Sequence, residues 1–304
     1  MSNLDGTQFQ PTYKFDLFRE DGFGVTIEPE ACIDFRVELD RLSQPNEADI
    51  TLWNISDEQR ANIAANEYGL IRLQTGFERA NNMGVIFEGN IRRARVRETQ
   101  ANQTTRQGND FATRIIAGEG ELAWRRSTIE HSFPQGTTFV EMARFAINEM
   151  PNIGEGDLSG LEGFQIDSPY IVAGSVRAFF DDLAATSNSR WSMQRTSLDF
   201  VSNERAKNTF TVNKKTYETG LIEAELDEQG IEAILALDPA LKPNGVVEIE
   251  SLSQGTSGFW RLDSVTHIGS YGGNNPIWES HITGQRREGV ERIGRQGERA
   301  TFAT

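Results

Sequence analysis

Ile231-Glu-Ala-Ile-Leu-Ala-Leu-Asp-Pro-Ala-Leu, Lys242-Pro-Asn-Gly, Val246-Val-Glu-Ile-Glu, Gly258-Phe-Trp-Arg-Leu-Asp-Ser-Val-Thr-His-Ile and Ile277-Trp-Glu-Ser-His-Ile-Thr-Gly follow one another between Leu221 and Arg287. Apolar residues alternate with polar ones within each run. Pro, Gly, Asn and Ser separate the runs. Period-two runs bounded by turn residues read as antiparallel strands joined by short turns. The stretch therefore predicts a small, tightly curled antiparallel sheet or β-barrel.

The same plan appears earlier in the chain. Leu70-Ile-Arg-Leu-Gln-Thr-Gly-Phe stands in the place of Val246-Val-Glu-Ile-Glu. Val85-Ile-Phe-Glu-Gly-Asn-Ile matches Phe259-Trp-Arg-Leu-Asp-Ser-Val, and Asp110-Phe-Ala-Thr-Arg-Ile-Ile-Ala-Gly matches Pro276-Ile-Trp-Glu-Ser-His-Ile-Thr-Gly. The middle strand slips phase in both copies. Val85, Phe87 and Ile91 give way to Ala94 and Val96; Trp260 and Leu262 give way to Val265. One extra residue in a strand is a β-bulge, which bends the strand and helps curl a sheet. The match is one of pattern rather than residue identity. A repeat changes the architecture that the rest of the chain must satisfy.

Composition bounds the function. The chain has 304 residues, enough for two or three domains, and a net charge of −15. Affinity for nucleic-acid phosphates comes from Lys and Arg, so a chain this acidic is not a nucleic-acid gripper. More than half of the excess charge lies in Thr216–Thr256, with nine acidic residues and one basic. The single cysteine, Cys32, excludes an internal disulfide and reads as a small buried filler. No apolar run approaches the roughly 20 residues that span a bilayer. The first 25 residues carry charges throughout and no signal-peptide core, so a soluble protein made in the cytoplasm is expected.

Ile33, Phe35, Val37 and Leu39 alternate with Asp34, Arg36, Glu38 and Asp40, a half-buried strand. Ser56 with Gln59, and Thr138 with Glu141, have the spacing of helix capping boxes. They predict helices from about Asp57 to Asn66 and from Phe139 to Met150. Ser175 starts a third helix, with Val176, Phe179, Phe180, Leu183 and Ala184 on one face and Asp181 and Asp182 in solvent. Arg93, Arg95 and Arg97 share one strand face. They form either a solvated face or a contact with an acidic neighbour, such as another copy of this chain.

A search for chemistry returns little. The three histidines, His131, His267 and His281, stand in no metal motif, and no nucleophile elbow or phosphate loop is present. His267 and His281 are expected to face each other across two strands. Glu279 lies on the face of His281. No catalytic residue, metal site or cofactor is assigned.

The order Ala48-Asp-Ile-Thr-Leu-Trp-Asn-Ile-Ser, capped helix, Ile71-Arg-Leu-Gln-Thr-Gly-Phe, Val85-Ile-Phe-Glu-Gly-Asn-Ile, and later Leu237-Asp-Pro-Ala-Leu-Lys-Pro-Asn-Gly, Gly258-Phe-Trp-Arg-Leu-Asp-Ser-Val-Thr-His-Ile-Gly and Ile277-Trp-Glu-Ser resembles the baseplate hub proteins of bacteriophage tails. The resemblance spans roughly Asp34–Arg287. The family's Gly-Asp-Thr near the last hairpin tip is replaced by Gly269-Ser-Tyr-Gly-Gly.

The expected fold is α+β, mainly β, with two similar tail-tube-like β-barrel domains and a small α/β domain between them. The expected boundaries are a flexible 1–11, a first barrel at 12–125, an α/β domain at 126–204, a second barrel at 205–287 and a C-terminal arm at 288–304. The resemblance implies a structural virion protein rather than an enzyme. It implies a homotrimeric symmetry adapter between a hexameric tail tube and a trimeric spike, touching other baseplate proteins, with a channel through which DNA passes unbound. Glu223, Glu225, Glu248 and Glu250 are then candidate channel-lining acids. The alternatives are a tail-associated cell-wall hydrolase and a carbohydrate-binding β-protein using Trp191, Trp260 and Trp278.

Overall fold

The computed structural model describes residues 10–19, 21–29, 31–100, 109–203, 210–211, 213–228, 230–272, 276–287, 290–293 and 299–302. The expected loose N-terminus, the Gly273–Asn275 tip and much of the 288–304 arm lie outside these residues.

The first part of the chain forms β1 (Pro11–Phe18), β2 (Gly24–Ile27), β3 (Cys32–Asp40), β4 (Glu47–Trp53), helix α1 (Asp57–Ala64), β5 (Leu70–Phe77), β6 (Gly84–Gln100) and β7 (Asn109–Gly118). The middle forms α2 (Glu121–Arg126), β8 (Thr128–Phe133), α3 (Phe139–Asn148), β9 (Gly154–Glu155), β10 (Tyr170–Ser175), α4 (Val176–Thr186), β11 (Ser189–Gln194) and β12 (Ser197–Ser202). The last part forms β13 (Phe210–Thr211), β14 (Asn213–Lys215), β15 (Leu221–Leu226), β16 (Ile231–Ala236), β17 (Val246–Ile249), β18 (Gly258–Tyr271) and β19 (Trp278–Arg287). Strands β20 (Val290–Ile293) and β21 (Arg299–Phe302) pair with each other, and β21 pairs with β13.

Local chemistry accounts for these elements. In β3, Ile33, Phe35, Val37 and Leu39 are buried, while Arg36 and Glu38 are exposed. Both capping boxes form: Ser56 accepts from the Gln59 amide while Gln59 accepts from the Ser56 amide, and Thr138 and Glu141 do the same. Ser175 caps α4 by accepting from the Ala178 amide at 3.2 Å. Asp181 is exposed as expected, yet it is not idle: it accepts from Trp191 Nε1 at 2.8 Å.

The repeat is visible in the strand pairing. In the first part β5 pairs with β6, β6 with β7, β7 with β4 and β4 with β3. In the last part β17 pairs with β18, β18 with β19, β19 with β16 and β16 with β15. All these pairs are antiparallel. The ladder slips between Ile91 and Arg93 in one copy and between Leu262 and Ser264 in the other. Even a loop bond recurs: the Ile91 amide donates to Gly69 O at 3.0 Å, and the Leu262 amide donates to Gly245 O at 2.8 Å. Hydrogen-bond partners fix the correspondence better than residue likeness does. They set Glu88 rather than Val85 against Phe259, and Ala117 rather than Gly118 against Gly284. The likeness ends at the outer strands, since β1 runs antiparallel to β5 whereas β14 runs parallel to β17.

The two copies are not separate closed barrels. All of these strands lie in one 13-stranded sheet, ordered β15-β16-β19-β18-β3-β4-β7-β6-β5-β1-β2, with β17 on β18 and β14 on β17. No ring of pairings closes among the described residues. The physical reason is the length of β18. Its first part pairs with β17, and Ser264–Tyr271 pairs with β3 of the other copy, occupying an edge that a closed barrel would need. One apolar core runs beneath both copies, from Tyr13, Phe15 and Leu17 to Val265 and Ile282. A second core, from Ala123 to Phe200, belongs to the middle segment and is rich in aromatic pairs such as Phe180 with Trp191 and Phe200.

The tip of the β11–β12 hairpin is wedged against both copies. Glu119, fully buried, accepts from Asn46 Nδ2 at 2.6 Å and from the Arg195 amide. Gln194 Nε2 donates to Asp40 O at 2.6 Å, and Arg195 donates to Pro239 O. Nearby, Arg41 and Arg261 are both buried and share Asp263, each at 2.8 Å.

Two expectations need correction. Cys32 is half-buried at the end of β3 rather than in the core, with Sγ 3.6 Å from Gly272 O. His267 and His281 do not face each other. Their cross-strand partners are Ser280 and Thr266, so one ring points into the core and the other outward. Neighbouring residues on a strand point to opposite faces, and a one-residue difference in register separates them.

Two predictions follow from this packing. Gly269 lies in the seam between Phe35 and Trp278, whose rings meet edge to face at 5.2 Å. A Cβ there would come 2.2 Å from Phe35 Cζ. Gly269→Ala should therefore cost about 1–3 kcal/mol, the usual penalty of overpacking. Urea unfolding should show a lower midpoint with an unchanged slope. Burial, reinforced by the charge of Arg195, pushes His267 down to about 3. A base depressed in the folded state gives stability that is present above about pH 6.5 and lost as pH falls toward 3. Burial pushes Glu119 up to about 7, and this contribution runs the other way, strongest below about pH 4.5 and lost as pH rises toward 7. The His267 part is therefore read by comparison with His267→Gln. Between pH 7 and 5 the wild type should lose roughly 2 kcal/mol relative to that variant.

Candidate assembly surface

The side of the sheet opposite the core presents one row of residues from each strand. The pairing registers place Glu223 and Glu225 of β15 beside Ile234 and Glu232 of β16. His281 and Thr283 of β19 follow, then Thr266 and Ser264 of β18. Across the seam come Asp34, Arg36 and Glu38 of β3, then Thr51, Asp49 and Glu47 of β4. Arg114 and Ile116 of β7 come next, and Arg95 and Arg93 of β6 end the row.

Charge varies systematically along this row. Glu223, Glu225 and Glu232 line one hollow together with His281. His281 Nε2 lies 3.0 Å from Glu279, so the expected acid–His pair is present on the outward face. The centre is internally neutralised: Arg36 bonds Glu38 at 2.5 Å, and Arg114 donates twice to Asp49. Asp49 raises the Arg114 guanidinium above its usual range, chiefly through that hydrogen bond. Arg93, Arg95 and Arg97 are exposed at the far end. The same face is therefore acidic at the β15 end and basic at the β6 end.

The four acids singled out in the sequence divide into two pairs. Glu223 and Glu225 share the β15 edge. Glu248 stands opposite Phe259 and Glu250 follows the end of β17, where Glu250 forms an ion pair with Lys214. The seam between the two copies was not legible, and neither was the Arg41–Asp263–Arg261 cluster. Both join residues more than 200 positions apart, and no short motif marks them. Leu226 of β15 is 46% exposed, and Val96 of β6, which alternation marks as apolar, is 38% exposed.

Among the described residues, no group of three His, Cys, Asp or Glu side chains could hold a metal ion. His131 is packed against Phe133 and Phe145, with ring centroids at 4.6 and 4.0 Å. Trp191, Trp260 and Trp278 are all buried, so they offer no stacking platform for a sugar.

The sequence matches no family model and no curated protein. Solved structures do share the fold. The 43 kDa tail protein of prophage MuSo2 from Shewanella oneidensis aligns with a TM-score of 0.58 at 7% identity, covering 91% of this chain and 98% of that one. A tail protein from Neisseria meningitidis aligns at 0.56 and 8% identity, covering 91% and 97%. An E. coli component of the type VI secretion system, described as structurally similar to T4 bacteriophage tail proteins gp27 and gp5, aligns at 0.52 and 11% identity, covering 84% and 74%. The chain has the fold of these tail proteins over nearly its whole length.

Proposed function

We propose that this chain is a non-enzymatic structural component of a phage tail baseplate: a trimeric hub that adapts a sixfold tube to a threefold spike. The observation that carries this reading is the internal repeat. Two copies of one strand unit are fused edge to edge in a single sheet, and three such chains supply six similar units around an axis. Closed cyclic arrangements are the usual outcome when a chain meets its neighbour through a heterologous interface that closes. The end-to-end likeness to tail proteins supports the same conclusion.

In this reading each copy corresponds to one tube-like domain, and the middle segment from about 126 to 204 packs beside them. The trimer contacts tube protein on one side and spike and other baseplate proteins on the other, in the virion. DNA passes through the centre without specific binding. Glu223 and Glu225, with Glu248 and Glu250, add negative charge to the wall, so that like charge disfavours sticking. Neutralising all four to glutamine should leave assembly intact while raising retention of DNA by the assembled particles. Failure to assemble would instead make them interface residues.

Sedimentation across a concentration range tests the proposal. A species of three 34.0 kDa chains is expected, together with no clearing on a cell-wall zymogram. Dimers, or clearing of the zymogram, would overturn it.

A further inference from the structure

Where the middle segment meets the sheet, arginines outnumber acids. Arg41 follows the end of β3 and is 6% exposed, and Arg261 of β18 is 1% exposed. Arg41 Nε donates to Asn244 Oδ1 at 2.5 Å, and its Nη1 donates to Asp263 Oδ1 at 2.8 Å. Arg261 donates to the same Asp263 oxygen, to Asn203 O and to Gln285 Oε1. Arg261 stands opposite Gln285 on β19, and alternation puts Arg287, two residues on, on the same side of the sheet. Arg190 of β11 joins the group from the middle segment, donating from Nε to Asn203 Oδ1 at 2.9 Å.

Two of these side chains hold donors that nothing meets. Arg41 Nη2, Arg287 Nε and Arg287 Nη2 are buried with no hydrogen-bond partner. Buried guanidinium groups are ordinarily paired, and a donor left unmet inside a protein calls for an occupant. Their neighbours do not neutralise them. Arg41, Arg190, Arg261 and Arg287 share Asp263, and the second acid nearby, Asp181, already accepts from Trp191 Nε1. Burial lowers the Arg41 guanidinium, and the like charges of Arg190 and Arg287 add to this against the pull of Asp263. Burial and then the charge of Arg41 take Arg261 down to about 10. A hollow walled by Ser43, Asp181, Ser189 and Trp191 leads from solvent to Arg41 and Arg190.

We infer that this arginine cluster is an anion site that takes a small dianionic oxyanion of the phosphate class, held by the open donors of Arg41 and Arg287 with Arg190 at the entrance. Charge favours a dianion: four guanidinium groups against Asp263 and Asp181 leave a surplus that a single carboxylate would not balance. Chemistry favours an oxyanion, because the guanidinium fork matches the oxygens of phosphate and its charge-assisted bonds are strong ones. Burial favours a free ion over a phosphate carried on a large molecule, since Arg41 Nη2 is covered. Arg41 belongs to the first copy, Arg261 and Arg287 to the second, and Arg190 to the middle segment. An ion held among them ties all three together. The site lies within one chain, so it does not depend on how chains assemble.

Calorimetric titration of the full chain with inorganic phosphate, in chloride buffer of matched ionic strength, tests the site. Saturable binding of one phosphate per chain is expected, with sulfate competing and the melting temperature rising with phosphate concentration. Arg41→Gln and Arg287→Gln should each weaken binding about tenfold or more, the loss of a charge-assisted hydrogen bond. Arg190→Gln alters an exposed side chain and should weaken binding several-fold, which keeps the test readable should a buried variant fail to fold. Arg79→Gln, on an exposed turn, should bind as the parent does. Phosphate that neither binds nor raises the melting temperature beyond matched chloride would overturn the site. So would binding unchanged in both Arg190→Gln and Arg287→Gln, or binding of a short oligonucleotide but not of free phosphate.

Discussion

Antiparallel pairing of β3 with the second half of β18 holds the two strand units together. It joins residues 33–40 to residues 264–271 and turns two similar strand units into one sheet. It lets a single core run beneath both, where two small cores would each have buried less. It also takes up an edge that either unit would need in order to close on itself, and among the described residues neither closes. The cost is a tight fit, with Gly269 pressed between Phe35 and Trp278. Polar side chains secure the flanks: the tip of the middle segment reaches Asp40 on one side and Pro239 on the other.

Much of this was legible in the sequence, for physical reasons. Alternation of apolar residues marks strands wherever one face is buried, as Ile33–Leu39 does. The capping residues Ser56 and Thr138 marked helix starts because their side chains satisfy amides that a helix end leaves open. The phase slips after Ile91 and Leu262 marked the bulges. The chain order of these signals carried the resemblance to tail hub proteins, and the fold agrees with it.

What escaped was everything that depends on register between distant strands. Residue likeness placed Val85 against Phe259, whereas hydrogen bonding places Glu88 there. Strand alternation alone sets His267 and His281 on facing strands, and a single step of register separates them. The fusion of two expected barrels into one open sheet has no local signature at all. The candidate surface was legible in part: Arg93, Arg95 and Arg97 stood out as a basic face, and Glu223 and Glu225 as acids on a strand. That they occupy opposite ends of one continuous face follows only from the strand order. Seen together, one face carries acidic residues at one end and basic residues at the other, within a chain whose net charge is −15.

An electron cryo-microscopy map of the assembled particle reads the arrangement of the repeats directly. Three chains are expected, whose repeats form six similar units around a central opening. A map with a different number of chains, or with the repeats not arranged around a central opening, would contradict it.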